Sequence, residues 1–273
     1  MLSTRIISSA GGAGVAFGIA AGQGVAAGIG GARISAVGSA AGVGSVAAVE
    51  YGDPYWASVV ALLHFDGSDA STTFTDEKGH TFTAVGNAQI DTAQSKFGGA
   101  AGLFDGSGDR LTAPDSTDWD FGTGDFTVEF FIRFNALPSS TATSLVGNYV
   151  SSSSGWIVQF RNDSPGARLA FGSSGDVPIS GFSWSPSTAT WYHVAVAREG
   201  STLRAFAGGS QVGSDETNSE NIAGSNGVLM IGAINTMGVI QHFNGWMDEL
   251  RITKGVARYT AAFTPPTAPF PNS

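Results

Sequence analysis

The chain contains no cysteine. That absence excludes disulfides, cysteine-ligated zinc and thiol catalysis, and it fits folding in a reducing compartment. Charge is scarce too. Asp, Glu, Lys and Arg make up 13% of the residues, against about a quarter in an average globular protein. The 13 Lys and Arg are scattered without a basic cluster, and the net charge is −9. A nucleic-acid partner is therefore excluded, because phosphate contacts need a basic face. No long amphipathic helix can be read, so the crossovers that build a parallel sheet are missing. A Gly-x-Ser-x-Gly elbow is also absent. The four histidines, His64, His80, His193 and His242, lack the paired spacing of a zinc site.

Glycine is abundant, with 39 residues, and much of it is concentrated near the N-terminus. From Gly12 to Ala48, 17 of the 19 even-numbered positions are Gly or Ala, broken only by Ile34 and Val46. The odd positions carry larger residues, among them Val15, Phe17, Ile19, Val25, Ile29, Val37 and Val43. A period of two is the side-chain period of an extended strand. A bare Gly/Ala face lets another backbone approach closely, as in stacked chains. Residues 1–50 are thus expected to form an extended stalk whose apolar odd face is covered by partner chains, a trimer for example, or by a docking surface. Arg5 followed by an apolar run has the outline of a signal peptide. However, Gly dilutes that run, the alternation continues past any cleavage point, and Arg33 interrupts a membrane span. No membrane span is expected.

Residues 51–57 read as a hinge, with Gly52 and Pro54 breaking the pattern. Beyond them the chain alternates strand-like runs with turn signals. The runs are Val59–Phe65, Phe126–Phe134, Trp156–Phe160, Arg168–Phe171, Tyr192–Arg198, Leu203–Ala207, Val228–Ile231 and Trp246–Ile252. Turn signals include Asp66-Gly67, Asp105-Gly106-Ser107-Gly108 and Gly208-Gly209. Many strands without helices predict an antiparallel sandwich over residues 58–265. The tail, with four Pro from Phe263 to Ser273, is expected to lie extended over the surface.

Five segments in order carry a family likeness: Leu62-Leu63-His64-Phe65-Asp66-Gly67; Phe97-Gly98-Gly99 running to Asp105-Gly106 and Asp109; Asp125–Phe130; Trp191–Arg198; and Phe243–Ile252. Together they resemble the laminin G-like domains of the concanavalin A-like lectin and glucanase superfamily, across roughly residues 58–265. The resemblance implies an all-β, antiparallel jelly-roll sandwich. It also implies binding, commonly to carbohydrate or a protein surface, rather than catalysis. Domains of this type with Gly- and Ala-rich appendages resemble phage and other virion appendage proteins.

Glycosidases need two carboxylates about 5–10 Å apart across the sugar. The glucanases of the resembled superfamily cluster their acids on one strand, and this chain has no such run. Asp248 and Glu249 are adjacent, so on a regular strand they point to opposite faces, and Glu129 stands alone on its strand. Calcium suits Asp and carbonyl oxygens. The resemblance implies rim calcium sites where first and last strands meet, which singles out Asp66 and Asp248. Asp105 and Asp109 frame a Gly-rich turn that could hold a cation or simply cap its own backbone. For sugar recognition, aromatic rings stack on sugar faces while polar groups fix hydroxyls. The candidate set is Asn148, Tyr149, Trp156, Arg161, Asn162 and Trp184, with Gly147–Gly155 as a contact loop. Most tryptophans in a sandwich are core residues, however.

The sequence therefore reads as a non-enzymatic structural or attachment protein at a virion surface: a tail fibre, head fibre or decoration protein. Its head would bind a surface glycan or a neighbouring protein, and its N-terminus would form a homo-oligomer or dock on other virion proteins. The alternatives are a secreted bacterial carbohydrate-binding protein and a polysaccharide-cleaving enzyme.

Overall fold

A computed structural model describes residues 7–8, 15–16, 32–33, 50–139, 141–150, 154–173, 180–222, 226–236 and 239–273. The chain divides into two units, Met1–Pro54 and Tyr55–Ser273. In the first, β1 (Ile7–Ser8) pairs with β2 (Val15–Ala16), and β3 (Ala32–Arg33) pairs with β4 (Glu50–Tyr51), both antiparallel. The rest of the Gly/Ala alternation, with its breaks at Ile34 and Val46, lies outside the described residues.

The second unit is a sandwich of two antiparallel sheets. The spatial order of the first is β15 (Ser180–Ser183), β14 (Gly166–Ser173), β13 (Trp156–Asp163), β12 (Ala142–Gly147), β19 (Leu229–Ile231), β10 (Arg110–Ala113), β7 (Phe82–Val85) and β6 (Thr73–Phe74). That of the second is β18 (Ser210–Thr217), β17 (Thr202–Ala207), β16 (Trp191–Glu199), β11 (Phe126–Phe134), β22 (Asn244–Lys254), β9 (Ala101–Asp105) and β8 (Gln89–Asp91), with β5 (Val59–Leu63) also paired to β22. A separate hairpin, β20 (Ala233–Thr236) and β21 (Val239–His242), is anchored to the first sheet where Thr143 Oγ1 donates to the His242 carbonyl at 2.7 Å. Among the described residues no helix is long and apolar enough to cross a membrane.

Alternation decides what faces what. On β11, Phe126, Val128, Phe130, Ile132 and Phe134 enter the core between the sheets. Opposite them stand Trp156, Val158 and Phe160 of β13 and Leu169 and Phe171 of β14. The ring contacts are close, with Phe121 stacked on Phe126 at 4.4 Å and Phe134 edge-on to Phe243 at 5.6 Å. Such side chains contribute more than their area alone, because aromatic pairs gain about 0.5–1.5 kcal/mol from ring geometry.

The other residues of β11 point away from that core, yet they are buried as well. Thr127, Glu129 and Phe131 lie beneath the C-terminal segment 256–270, which straps the outer face of the second sheet. Thr127 Oγ1 donates to the Val256 carbonyl and accepts from Arg258 N. Tyr259 and Phe263 stack at 3.6 Å, and Phe263 packs edge-on against His193. Phe263 N donates to Gly209 O at 2.9 Å. Only glycine fits there, since a Cβ on Gly209 (φ +79) would sit 2.1 Å from the Phe263 carbonyl oxygen. Phe270 is 3% exposed and packs with Val59, Leu62 and Phe131. The tail thus lies over the second sheet, with this one ring buried beneath it. An apolar ring beside four prolines gains more by entering the gap between Arg251 and Phe131 than by facing water.

Under the strap Glu129 gathers a polar network. Arg251 donates to Oε1 from Nε at 2.9 Å and from Nη2 at 2.8 Å, and Tyr259 Oη donates to Oε2 at 2.8 Å. His193 Nε2 lies 3.0 Å from Oε2. Burial alone would raise the Glu129 pKa. The Arg251 charge, the His193 hydrogen bond and the Arg258 charge overcome it and hold the group down at about 2. We expect Glu129→Ala to cost about 3–5 kcal/mol, because it strands Arg251 without its counter-charge. In the parent the stabilisation is complete above pH 4.5 and is lost as pH falls towards about 2. Urea melts across pH should show that acid limb, flattened in Glu129→Gln. An unchanged limb would contradict the assignment.

Candidate functional site

Two places concentrate unspent chemistry: a fork in the second sheet and the outer face of the first. The fork is made by β22. Its residues Asn244–Met247 pair with β9, and Leu250–Thr253 pair with β5. Between these stretches lies a bulge, where Glu249 takes φ +52 and two residues face one on β11. Met247 and Leu250 both enter the core. Asp248 and Glu249 therefore both emerge on the strap side, and the expectation of opposite faces is corrected. That expectation assumed an unbroken strand period.

Both carboxylates are completely buried. Glu249 Oε2 accepts from Phe270 N at 2.9 Å, and its carboxylate lies 2.9 Å from His64 Nδ1. Burial opposes charge on His64, but the Glu249 contact outweighs it and raises the pKa. Asp248 Oδ2 accepts from Lys96 N at 2.7 Å and from Phe97 N at 3.1 Å. Asp248 Oδ1 is buried with no partner among the described residues. Desolvation, helped by the charges of Glu249 and Asp66, pushes Asp248 up to about 7. Asp66 follows β5 and folds onto the same loop, so tightly that a Cβ on Gly98 (φ +60) would overlap its carboxylate. Burial raises Asp66 as well. The structure thus brings Asp66 and Asp248, named from the sequence, to one loop. Oxygen donors, one of them orphaned, fit a hard cation. Among the described residues no group of three or more His, Asp or Glu is arranged to hold a metal, so backbone carbonyls would have to complete the shell.

The Asp105–Asp109 turn is different. Asp109 accepts from Asn87 N and Asp105 N, and Asp105 accepts from Ser107 N and Asn87 Nδ2. These carboxylates cap backbone, as Asp in such turns commonly does. An open groove of about 550 Å³ runs along β6 and β7. Its acid–base group is already matched, with His80 held between Asp76 at 2.7 Å and Asp118 at 3.0 Å.

The outer face of the first sheet carries the other cluster. Adjacent strands put Ala142, Arg161, Arg168 and Ser183 in one cross-strand row, and Ser144, Gln159, Ala170 and Gly181 in the next. A hydrogen-bond chain links the rows. Gln159 Nε2 donates to Gln241 Oε1 of the hairpin and to Ser144 Oγ. Arg161 Nη1 donates to Gln159 Oε1 at 3.2 Å, and Arg161 Nη2 donates to Asp163. Arg168 Nη2 reaches Asp163 Oδ1 at 2.8 Å from the other side. The Arg161 hydrogen bond, with both guanidinium charges, holds Asp163 below the usual carboxylate range. Arg161, Asp163 and Arg168 remain 23%, 26% and 15% exposed in their side chains.

The sequence-derived sugar set is not gathered in one place. Trp156 is fully buried, with Nε1 donating to Trp119 O at 2.9 Å. Trp184 packs edge-on to Phe160 and Tyr192. Both are core residues, because strand alternation turns their rings towards the opposite sheet, and neither ring is available to a sugar. Asn148 is buried too, its Oδ1 accepting from Trp156 N. Asn162 Nδ2 is spent on Pro138 O. Tyr149 is partly exposed, and burial raises its pKa. It lies at the opposite end of β13 from Arg161, about 17 Å along the strand. Residues 151–153 of the proposed contact loop lie outside the described residues. Gln159, Arg168, Asp163 and Gln241 were missed. The signal was there as Gln159, Arg161 and Asp163 at every second position, which one face of a strand collects.

At the Asp66–Asp248 fork, we expect Asp248→Asn in chelator at pH 8 to be more stable than the parent by about 4 kcal/mol. The parent carries a cost that grows as pH rises from 3.8 towards about 7, so the two should converge near pH 4. Denaturant titrations at both pH values measure this, and a destabilised Asp248→Asn under chelation would contradict it.

Comparison with known proteins places the fold. Domain 4 of AbnA, a GH43 extracellular arabinanase from Geobacillus stearothermophilus solved with arabinotriose, is similar at 19% identity and TM-score 0.55, over 73% of this chain and 93% of that one. The binding domain of Paraclostridial Mosquitocidal Protein 1 is similar at 14% and 0.55, over 74% and 50%. The binding domain of Botulinum Neurotoxin DC in complex with SialylT is similar at 15% and 0.53, over 74% and 49%. The chain thus spans about half the length of either toxin domain. No curated protein matches the sequence. A family model for the concanavalin A-like lectin/glucanases superfamily, of laminin G type, matches residues 105–258, more than half of the chain, and the protein belongs to that family.

Proposed function

We propose that the sandwich is a non-enzymatic glycan-binding head, and that the partly exposed Arg161, Asp163 and Arg168 form the centre of its binding face, with the buried Gln159 holding Arg161 in place. The observation that carries this reading is the chain of planar amide and guanidinium groups on one sheet face, which runs from the buried Gln159 to the partly exposed Arg161, Asp163 and Arg168. Such groups fix the in-plane hydroxyls of a sugar. The opposite sheet has its outer face taken up by the strap, so the part of the first sheet beyond the β20–β21 hairpin, around Arg161 and Arg168, is the face left for a ligand. Family membership supports the reading, as does likeness to an arabinanase domain solved with arabinotriose. Hydrolysis is disfavoured because Asp248, Glu249 and Glu129 are all sealed from solvent, and a glycosidase acid must touch the bond it cleaves.

The fork is read as a calcium site. Asp66 and Asp248 would hold the ion with loop carbonyls, and the ion would neutralise the orphaned Asp248 oxygen. Its role would be structural, fixing β5 and the 95–99 loop to β22. The Gly/Ala tract supports the wider reading, in which the head sits on an oligomerising stalk at a virion surface, because bare Gly/Ala positions alternating with Val, Ile and Phe suit chains that pack against one another.

Full-length protein on an immobilised glycan panel should bind at least one oligosaccharide, and Arg161→Ala should weaken that binding about tenfold. Folded protein that binds no glycan would overturn the reading. Calcium should raise the melting temperature of the parent and leave Asp248→Asn unmoved. An equal shift in both would remove the ion from this site.

A further inference from the structure

We propose that the face selects an acidic glycan, one whose sugar carries a carboxylate, and that Arg161 and Arg168 together bind that carboxylate. This rests on the glycan-binding reading above. Arg161 and Arg168 stand directly opposite each other in the β13–β14 register. Like charges in that position repel, so the pair needs a reason to be there. The internal answer is incomplete. Both guanidiniums share one carboxylate, Asp163. Two cations and one anion leave a surplus of one positive charge, in a chain whose net charge is −9. The flanking positions in the row, Ala142 and Ser183, add no charge, and Gln159 is neutral.

The donor count points the same way. A guanidinium has five N–H groups. Among the described residues Arg161 spends three, on Gln159 and on both oxygens of Asp163. Arg168 also spends three, two on the Asp163 and Gly166 carbonyls and one on Asp163 Oδ1. Each side chain thus keeps N–H groups for a further acceptor, and both are partly exposed. Gly181 helps to position Arg168. A Cβ there would lie 2.7 Å from Arg168 Cδ, so its absence lets the stem lie along the sheet and reach Asp163. Paired guanidinium forks match a planar carboxylate bidentately, with charge assistance. The buried Gln159 accepts from Arg161 Nη1 and so fixes that guanidinium, and the partly exposed Gln241 lies next along the chain of hydrogen bonds.

The test is calorimetric titration of the full chain with four probes: arabinotriose, a galacturonate trimer, sialyllactose and a sulfated disaccharide. The carboxylate probes should bind about tenfold more tightly than arabinotriose, with a preference that shrinks as salt is raised. Arg168→Gln keeps a neutral Arg161–Asp163 pair and should reduce the acid-over-neutral ratio about tenfold. Asp163→Asn removes the competing anion and should increase that ratio. Circular dichroism checks that each variant is folded. A parent that binds neutral and carboxylate probes equally overturns this inference and leaves the glycan reading standing. So does a ratio unmoved by Arg168→Gln. Binding of the sulfated probe alone overturns the carboxylate assignment. If no probe and no glycan on the panel binds, the glycan reading itself fails.

Discussion

The structure turns on one buried negative charge. Glu129 sits on the face of β11 that points away from the core, and it is fully buried there. An isolated carboxylate in such a place would take up a proton or force the sheet open. Instead Arg251 comes from β22, His193 from β16 and Tyr259 from the C-terminal strap. The acid thereby ties three central elements of the second sheet to the strap that covers it. Two-sided burial follows, and with it the functional asymmetry. A sheet whose outer face is spent on its own tail cannot offer that face to a ligand. The outer face of the first sheet is covered in part by the β20–β21 hairpin, and beyond it Arg161, Asp163 and Arg168 stay partly exposed.

The fork at β22 is the second consequence of building from both chain ends. β5 and β9 share one edge of β22, and the bulge at Glu249 is where the edge passes from one to the other. The change of partner turns two acids out to the same side. Glu249 finds His64 and the Phe270 amide, but Asp248 is left with one oxygen unmatched. The cost of that oxygen is tolerable if a cation joins Asp66 there, and it is a liability otherwise. A cation bound there would couple stability to ion binding at the point where the first and last strands of the sandwich meet.

The fold was legible because its signal is repeated. The alternation of Phe126, Val128, Phe130, Ile132 and Phe134, and the turn glycines between runs, fix strands and breaks locally. The sites were less legible, for two physical reasons. Alternation tells which residues share a face, but not which face is the core. Trp156 and Trp184 were therefore open candidates until the sheets were paired, and both proved to be core. Bulges and long-range pairing leave no local trace. Asp248 and Glu249 look opposed in sequence, and the residues that buried Glu129 lie 64 to 130 positions away. By contrast Asp66 and Asp248 were found from motif order, because the meeting of first and last strands belongs to the fold itself. The row of Gln159, Arg161 and Asp163 could have been read by applying the period of two to polar residues as strictly as to apolar ones.

The central claim is the asymmetry between the two outer faces, and backbone amide exchange on the full chain with and without a bound oligosaccharide tests it most directly. The account predicts added protection in β13 and β14 around Arg161, Asp163 and Arg168, and none in the strap around Tyr259 and Phe263. Protection confined to the strap face, or to the groove along β6 and β7, would contradict it.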